Sequence, residues 1–238
     1  MGFDGEYRTL VRPLWAAALA LVAALPTPAA ACRLALLLAI DVSSSVDAAE
    51  DRLQRNGLAS ALLHPDVQTA FLADPERPVA LAAFEWSGRW RQVTVLEWRE
   101  MRSAADLVTA AEIIAGSVRS ETRFPTALGY ALGHAASLLA EAPVCDRQVI
   151  DVSGDGKNNE GFDPAIAYEH FPLGGVTVNG LAIGGNVPLD EMVAYYRREV
   201  IKGPGAFVEA ADGYEDFERA MTRKLLREVS AMVIGQAE

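Results

Sequence analysis

The stretch AIDVSSSVDAAEDRL (residues 39 to 53) places one carboxylate and two hydroxyls, Asp41, Ser43 and Ser45, just beyond the apolar run LALLLAI (Leu34 to Ile40). A second apolar run ends alike, with Asp155 after a Ser-Gly in VIDVSGDGKNNEG, and Thr126 follows Pro125 where a helical pattern begins. Two carboxylates and three hydroxyls at the ends of strands could converge on one rim. Several chemistries draw on such groups. The plainest is structural, with Asp41 capping the next helix and the serines satisfying loop amides. A second is catalytic, with Asp41 as a phosphatase-type nucleophile beside a metal, although that arrangement normally has a second acid two residues on, where Ser43 stands. Other catalytic classes fit poorly. His64, His134 and His170 are scattered without metal-ligand spacing. No Gly-x-Ser-x-Gly elbow occurs, and neither GPGAF nor GDGKNNEG is a phosphate loop.

The elements that must position these groups follow from periodicity. Continuous apolar character marks 32–40 as a buried strand, and 77–86, 147–154, 175–185 and 206–211 as further strands. The turn SGRW leads into RQVTVLEW (91 to 98), a short connection that predicts a hairpin and an antiparallel edge strand. Helical patterns are expected at 46–63, with Val46, Leu53, Leu58 and Leu62 on one face and Gly57 a soft spot. More follow at 103–118 behind the cap Ser103, at 126–142 opened by Thr126, at 163–171 with Asp163 as cap and Pro164 first, at 188–201 and at 214–234. Strands alternating with helices predict an α/β layer fold with a mostly parallel sheet. In such sheets ligands bind beyond the carboxyl ends of the strands, near the point where strand order reverses. Asp41, Ser43, Ser45 and Asp155 are expected there.

Composition narrows the function classes. With 51% hydrophobic and 22% charged residues, the 238-residue chain can bury one sizeable core, and a net charge of −11 without a Lys/Arg cluster argues against nucleic acid. Residues 1–31 read differently from the rest. Arg8 and Arg12 precede the apolar LWAAALALVAALP, and TPAAA follows it, as in a cleaved secretory signal peptide. The run falls short of the ~20 residues of a membrane span, so no span is expected after cleavage. The domain is expected over 32–235, in the periplasm or outside the cell. Cys32 follows the cleavage site directly, a place that also invites lipidation, although Ala29-Ala30-Ala31 lacks the usual lipobox leucine.

DVSSS at the end of a hydrophobic strand, with the later SGDG, resembles the signature of von Willebrand factor A (VWA)-like domains, and the order of elements is similar to that fold across nearly all of the mature chain. AIDVSSSVD with VIDVSGDGKNN further resembles a family of uncharacterised secreted bacterial proteins of this fold. The resemblance implies a Rossmann-like three-layer fold, mostly parallel with one antiparallel edge strand. It also implies a metal-ion-dependent adhesion site (MIDAS) built from Asp41, Ser43, Ser45, Thr126 and Asp155. Thr126 is preferred to Thr122, four residues earlier, because it starts the helix as the family's threonine does.

The residue types suit that role. Magnesium takes six hard oxygen ligands and sheds water reluctantly. The three hydroxyls are neutral donors that fix Mg2+, or Mn2+ or Ca2+, without cancelling its charge. The two carboxylates bind directly or orient bound waters and serines. In the family, a partner protein's Glu or Asp completes the coordination, and the implied function is protein binding without catalysis. A phosphoester hydrolase, or a structural envelope domain with a vestigial site, are the alternatives. The family's strand order also sets Cys32 and Cys145 near the lower ends of neighbouring strands, which implies a disulfide as the alternative to lipidation. Closing so long a loop would contribute about 4 kcal/mol in the chain-entropy model. Glu85, Trp86 and Trp90 border the same rim, where an exposed Trp is either a partner anchor or packing over the hairpin. Asp151, inside its strand, is expected to be buried and hydrogen-bonded rather than a ligand.

Overall fold

The computed structural model describes residues 1–2, 32–120 and 122–230. The expected signal segment therefore lies outside the described residues, except for its first two. Among the described residues, no helix is long and apolar enough to cross a membrane.

Six strands form one sheet: β1 (Leu34–Asp41), β2 (Val79–Trp86), β3 (Gln92–Met101), β4 (Gln148–Gly154), β5 (Thr177–Ile183) and β6 (Val208–Ala211), in the order β3-β2-β1-β4-β5-β6. Every pairing is parallel except β2 with β3. The predicted hairpin and antiparallel edge are thus present. Their cause lies in the connection: five residues, 87–91, join β2 to β3, too few for the crossover a parallel neighbour needs. All eight residues of β1 are buried, as its unbroken apolar run demands of a strand covered on both faces, whereas edge strand β3 is buried only in part.

Alternate β1 side chains feed two cores. Leu34, Leu36, Leu38 and Ile40 pack with Leu58, Leu62, Phe71, Leu107, Ile114, Phe217, Met221 and Leu225. These come from α1 (Ala48–Leu63), α2 (Pro65–Phe71), α3 (Ala104–Gly116) and α7 (Phe217–Ser230). Leu37 and Ala39 point the other way, toward Leu128, Leu132, Ala167, Met192 and Tyr196, from α4 (Leu128–Ala140), α5 (Pro164–His170), α6 (Leu189–Tyr195) and the π-helical turn Tyr196–Val200. Truncating one of these fully buried leucines to Ala should cost about 2–5 kcal/mol.

The structure corrects several details. Leu53 is 40% exposed; the inward face of α1 is Asp51, Gln54, Arg55, Leu58 and Leu62. Gly57 makes room for α7, because a Cβ there would stand 3.0 Å from the Phe217 ring and 3.2 Å from the backbone of Glu218. Helix α2 was not expected from the sequence. The 188–201 pattern is broken by the π-helical turn, which turns Tyr196 into the core, and the last helix begins with a 3-10 turn, Tyr214–Asp216. Residues 231–234 of that pattern lie outside the described residues. Cys32 and Cys145 form a disulfide beneath the sheet, alongside a parallel bridge between the same residues.

Candidate functional site

β1 lies between β2 and β4, so the chain leaves it toward one edge of the sheet and later returns to its other side. That reversal opens the crevice where Asp41 ends β1 and Asp155 follows β4. Asp41 is fully buried, and its Oδ1 accepts a 2.7 Å hydrogen bond from the Ser43 amide, which bends the chain off the strand. Ser43 Oγ and Ser45 Oγ lie 3.1 Å apart, Thr126 Oγ1 donates to Ser43 Oγ at 3.2 Å, and Ser45 Oγ donates to Asp155 Oδ1 at 2.6 Å. All five predicted residues therefore converge. Ser43, Thr126 and Asp155 are buried, while Ser45 is half-buried beside exposed Ser44, so the cluster faces solvent over the serine loop.

Asp41 does not cap α1. Asp47 does, accepting from the amides of Ala49 (2.6 Å) and Glu50 (2.9 Å) while Glu50 Oε2 accepts from the Asp47 amide at 2.7 Å. Asp41 is thus left free of that duty. Thr126 also differs from expectation: it stands two residues before the first helical residue, and Ala127 is the cap position. The threonine is held by its backbone instead. Its amide donates to Asn159 Oδ1 at 2.9 Å, and its carbonyl accepts from the amides of Asn159 and Glu160. Asn158 Oδ1 meanwhile accepts from the Leu128 amide at 2.8 Å, capping α4 from the loop that carries Asp155.

Three further residues position the serine loop and escaped notice in the sequence. Arg119 donates to the carbonyls of Val42 (2.8 Å), Ser43 (2.7 Å) and Val46 (2.6 Å), clamping the loop by its backbone. Gln54, wholly buried on α1, donates to the Asp41 carbonyl at 2.9 Å. Gly154 lets the strand pass close, since a Cβ there would sit 2.8 Å from both Asp41 Oδ2 and the Tyr196 hydroxyl. Polar residues at inward positions of an otherwise amphipathic helix, such as Gln54 and Arg55, are the signal that could have been read. Arg119 sits in a loop whose sequence carries none.

The electrostatics are one-sided. Burial, with the Asp155 charge adding to it, pushes the Asp41 carboxyl up to about 7, and burial also raises Asp155. Asp41 Oδ2 is buried with no hydrogen-bond partner. Arg119 lowers both carboxyls through its charge, but each of its hydrogen bonds to this loop goes to a carbonyl. Among the described residues there is no group of three or more His, Cys, Asp or Glu side chains that could hold a metal ion, so any ion here would depend on the hydroxyls. Two carboxylates, one oxygen of which lacks a partner, plus three neutral hydroxyls form a hard-oxygen set. Its chemistry fits Mg2+ or a similar ion better than a soft one.

Comparison with known proteins places the architecture. Residues 31–233 match the model of the family described as "Protein of unknown function (DUF1194)". The chain belongs to this family. No curated protein matches it in sequence. Among solved structures, it superposes on proximal thread matrix protein 1 of the mussel byssus with a zinc-occupied MIDAS motif, with TM-score 0.58, 16% identity, and coverage of 84% of this chain and 46% of that one. It matches a von Willebrand factor type A structure from Catenulispora acidiphila with TM-score 0.59, 16% identity, and 84% and 43% coverage. It matches the pilus adhesin SpaC of Lactobacillus rhamnosus GG with TM-score 0.56, 12% identity, and 83% and 31% coverage. The DUF1194 chain spans about half the length of the mussel protein. At these identities the likeness establishes the fold alone, a VWA-like α/β fold with a mostly parallel six-stranded sheet.

Proposed function

We propose that the chain is an exported, divalent-cation-dependent protein-binding module whose metal ligands are Asp41, Ser43, Ser45, Thr126 and Asp155. The observation that carries this is the unpartnered, buried Asp41 Oδ2 beside a chain of hydroxyls, Thr126, Ser43 and Ser45, that ends on a second raised carboxylate, Asp155. Arg119 offsets the two buried carboxylates only through its charge and bonds neither, so a cation in direct contact would relieve them further. When bound, Mg2+ or Mn2+ or Ca2+ contributes a positive charge that three neutral hydroxyls leave only partly cancelled, and so attracts one more anionic oxygen, from a partner's Glu or Asp. Asp41 and Asp155 hold the charge and orient Ser43 and Ser45. Arg119 and Gln54 keep the serine loop from relaxing. The mussel protein's zinc-occupied motif on the same fold supports metal use, and the adhesin supports protein binding. Export is supported by the Cys32–Cys145 disulfide, which an oxidising compartment would preserve.

The hydrolase reading finds no comparable support. Asp41 is fully buried, bonded to the Ser43 amide and close against Gly154, which favours a ligand role over attack on a phosphoester. The test is thermal unfolding of the oxidised protein with chelator and with Mg2+, Mn2+ or Ca2+. A cation that binds the folded state at a hundred times its Kd should add about 2.7 kcal/mol. The midpoint should rise in wild type and not in Asp41→Asn; equal shifts in both would refute this site.

A further inference from the structure

At the end of the sheet away from the Asp41 rim, an open cleft of about 640 Å³ lies between the sheet and the last turns of α7, within the roughly 300–1,000 Å³ of small-ligand pockets. Arg147 lines it from just before β4, Asn179 from β5, Phe207 from just before β6, and Arg227 and Glu228 from α7. Gly174, Gly175 and Gly205 border the same space, and a Cβ at any of them would meet nothing within 4 Å, so these walls leave room for a ligand's body.

The polar groups of this lining are incompletely matched, and with both signs of charge. Glu228 belongs to a buried group of two carboxylates and one ammonium, in which Lys224 Nζ lies 2.6 Å from Asp151 Oδ1 and 2.7 Å from Glu228 Oε1. Asn179 donates to the same Oε1 at 2.9 Å, and Glu228 Oε2 is left buried with no partner. Glu228 is 2% exposed, and it is the one member of the three that lines the cleft. A carboxylate oxygen buried without a donor is costly, and a donor entering through the cleft would satisfy it. The positive groups are also unmatched. Arg147 is half-buried and pairs with no carboxylate among the described residues; its neighbour Asp146 pairs with Arg77 instead. Arg227 is exposed and lies 3.8 Å over the Phe207 ring, a contact with no anion in it.

We infer that this cleft binds a free amino acid or short peptide as a zwitterion, its amino group donating to Glu228 Oε2 and its carboxylate meeting Arg147, with Arg227 adding positive charge beside it. The two ends of the ligand supply what the lining lacks, a donor for the orphaned oxygen and an anion for the unpaired guanidinium. Specificity follows from the same placement: a plain anion would have to face Glu228, and a plain amine would have to face two arginines. The site is separate from the Asp41 rim and owes nothing to a metal there.

The test is calorimetric titration of the oxidised full chain, in chelator, with the common L-amino acids and with dialanine and trialanine, followed by the N-acetyl and carboxamide derivatives of whatever binds. At least one zwitterion should bind saturably. Blocking its amino group or its carboxylate should each weaken binding roughly tenfold or more, the loss expected of one charged hydrogen bond, and so should Arg147→Ala. Asp41→Ala should bind it as wild type does. No binding by any of these zwitterions at millimolar concentration would overturn the proposal. An N-acetyl derivative that binds as well as its parent would overturn the Glu228 contact and with it the zwitterion, as would a carboxamide that binds as well or binding that Arg147→Ala leaves unchanged.

Discussion

One buried carboxylate, Asp151, lies inside β4 and another, Asp155, one residue past its end, and the chain treats them in opposite ways. Asp151 meets Lys224 Nζ at 2.6 Å, and the same ammonium donates to Glu228 Oε1 at 2.7 Å. Asn179 donates to that oxygen at 2.9 Å and accepts from the Phe207 amide at 3.1 Å. Lys224 is wholly buried and supplies the cluster's positive charge from within, although Asp151 Oδ2 and Glu228 Oε2 have no hydrogen-bond partner. Asp155, just beyond β4, faces Asp41, and between them lie hydroxyls with no ammonium. Both places bury paired carboxylates, but only one has a cation in direct contact with them; at the other, Arg119 acts through its charge alone and gives its hydrogen bonds to loop carbonyls. The difference separates a charge group that serves the fold from one arranged to take a metal cation from outside.

Removing the internal cation should have the largest effect. Lys224→Met leaves Asp151 and Glu228 facing each other in the core, and should cost roughly 3–5 kcal/mol in urea unfolding. Adding Asp151→Asn to it should recover part of that loss.

Next in size is the pH response of chelated protein. Asp41 has its folded pKa raised to about 7 from an ordinary 3.8, so the folded state favours the protonated carboxyl. The resulting stability is complete below about pH 4 and is lost as pH rises through about 7, a change of up to a few kcal/mol. Divalent cation should reverse the loss at neutral pH, and cation affinity should fall as pH drops below 7 because protons compete. Asp151 is also raised to about 7, by burial and by the Glu228 charge, and titrates in the same window. In Asp41→Asn the cation-sensitive part of the pH profile should vanish while the Asp151 part persists.

A single neutral donor matters less. Thr126→Ala should weaken cation binding about tenfold, in line with the effect of lost metal-site contacts, and change unfolding free energy by only about 1 kcal/mol. Smallest is Trp90→Ala, which should leave stability within about 0.5 kcal/mol and cation binding unaltered, since the side chain is exposed.

Much of this contrast was legible in the sequence. The unbroken LALLLAI run gave β1 its central place, and a carboxylate and hydroxyls at its end marked the rim, because a strand buried on both faces has nowhere else to put them. Asp151 was recognised as internal. Its partners were not, because Lys224 and Glu228 lie on α7, over seventy residues away in sequence, and nothing local shows that an amphipathic helix will turn a lysine inward. The phase of α1 was misjudged for a related reason: its inner face carries Asp51, Gln54 and Arg55, so hydrophobicity alone drew Leu53 onto the wrong side. Arg55 is there because Glu85, at the end of β2, is buried and meets it at 2.6 Å. Thr126 does lie beside Ser43, but Asn159 of the Asp155 loop holds its backbone there, and not a helix cap of its own.

The most direct test of the central claim is a calorimetric titration of the oxidised protein with Mg2+ and Mn2+, with Asp41→Ala and Asp151→Asn as paired controls. Saturable binding in wild type that Asp151→Asn keeps and Asp41→Ala loses is the predicted result. No binding in wild type, or binding that survives Asp41→Ala, would contradict it.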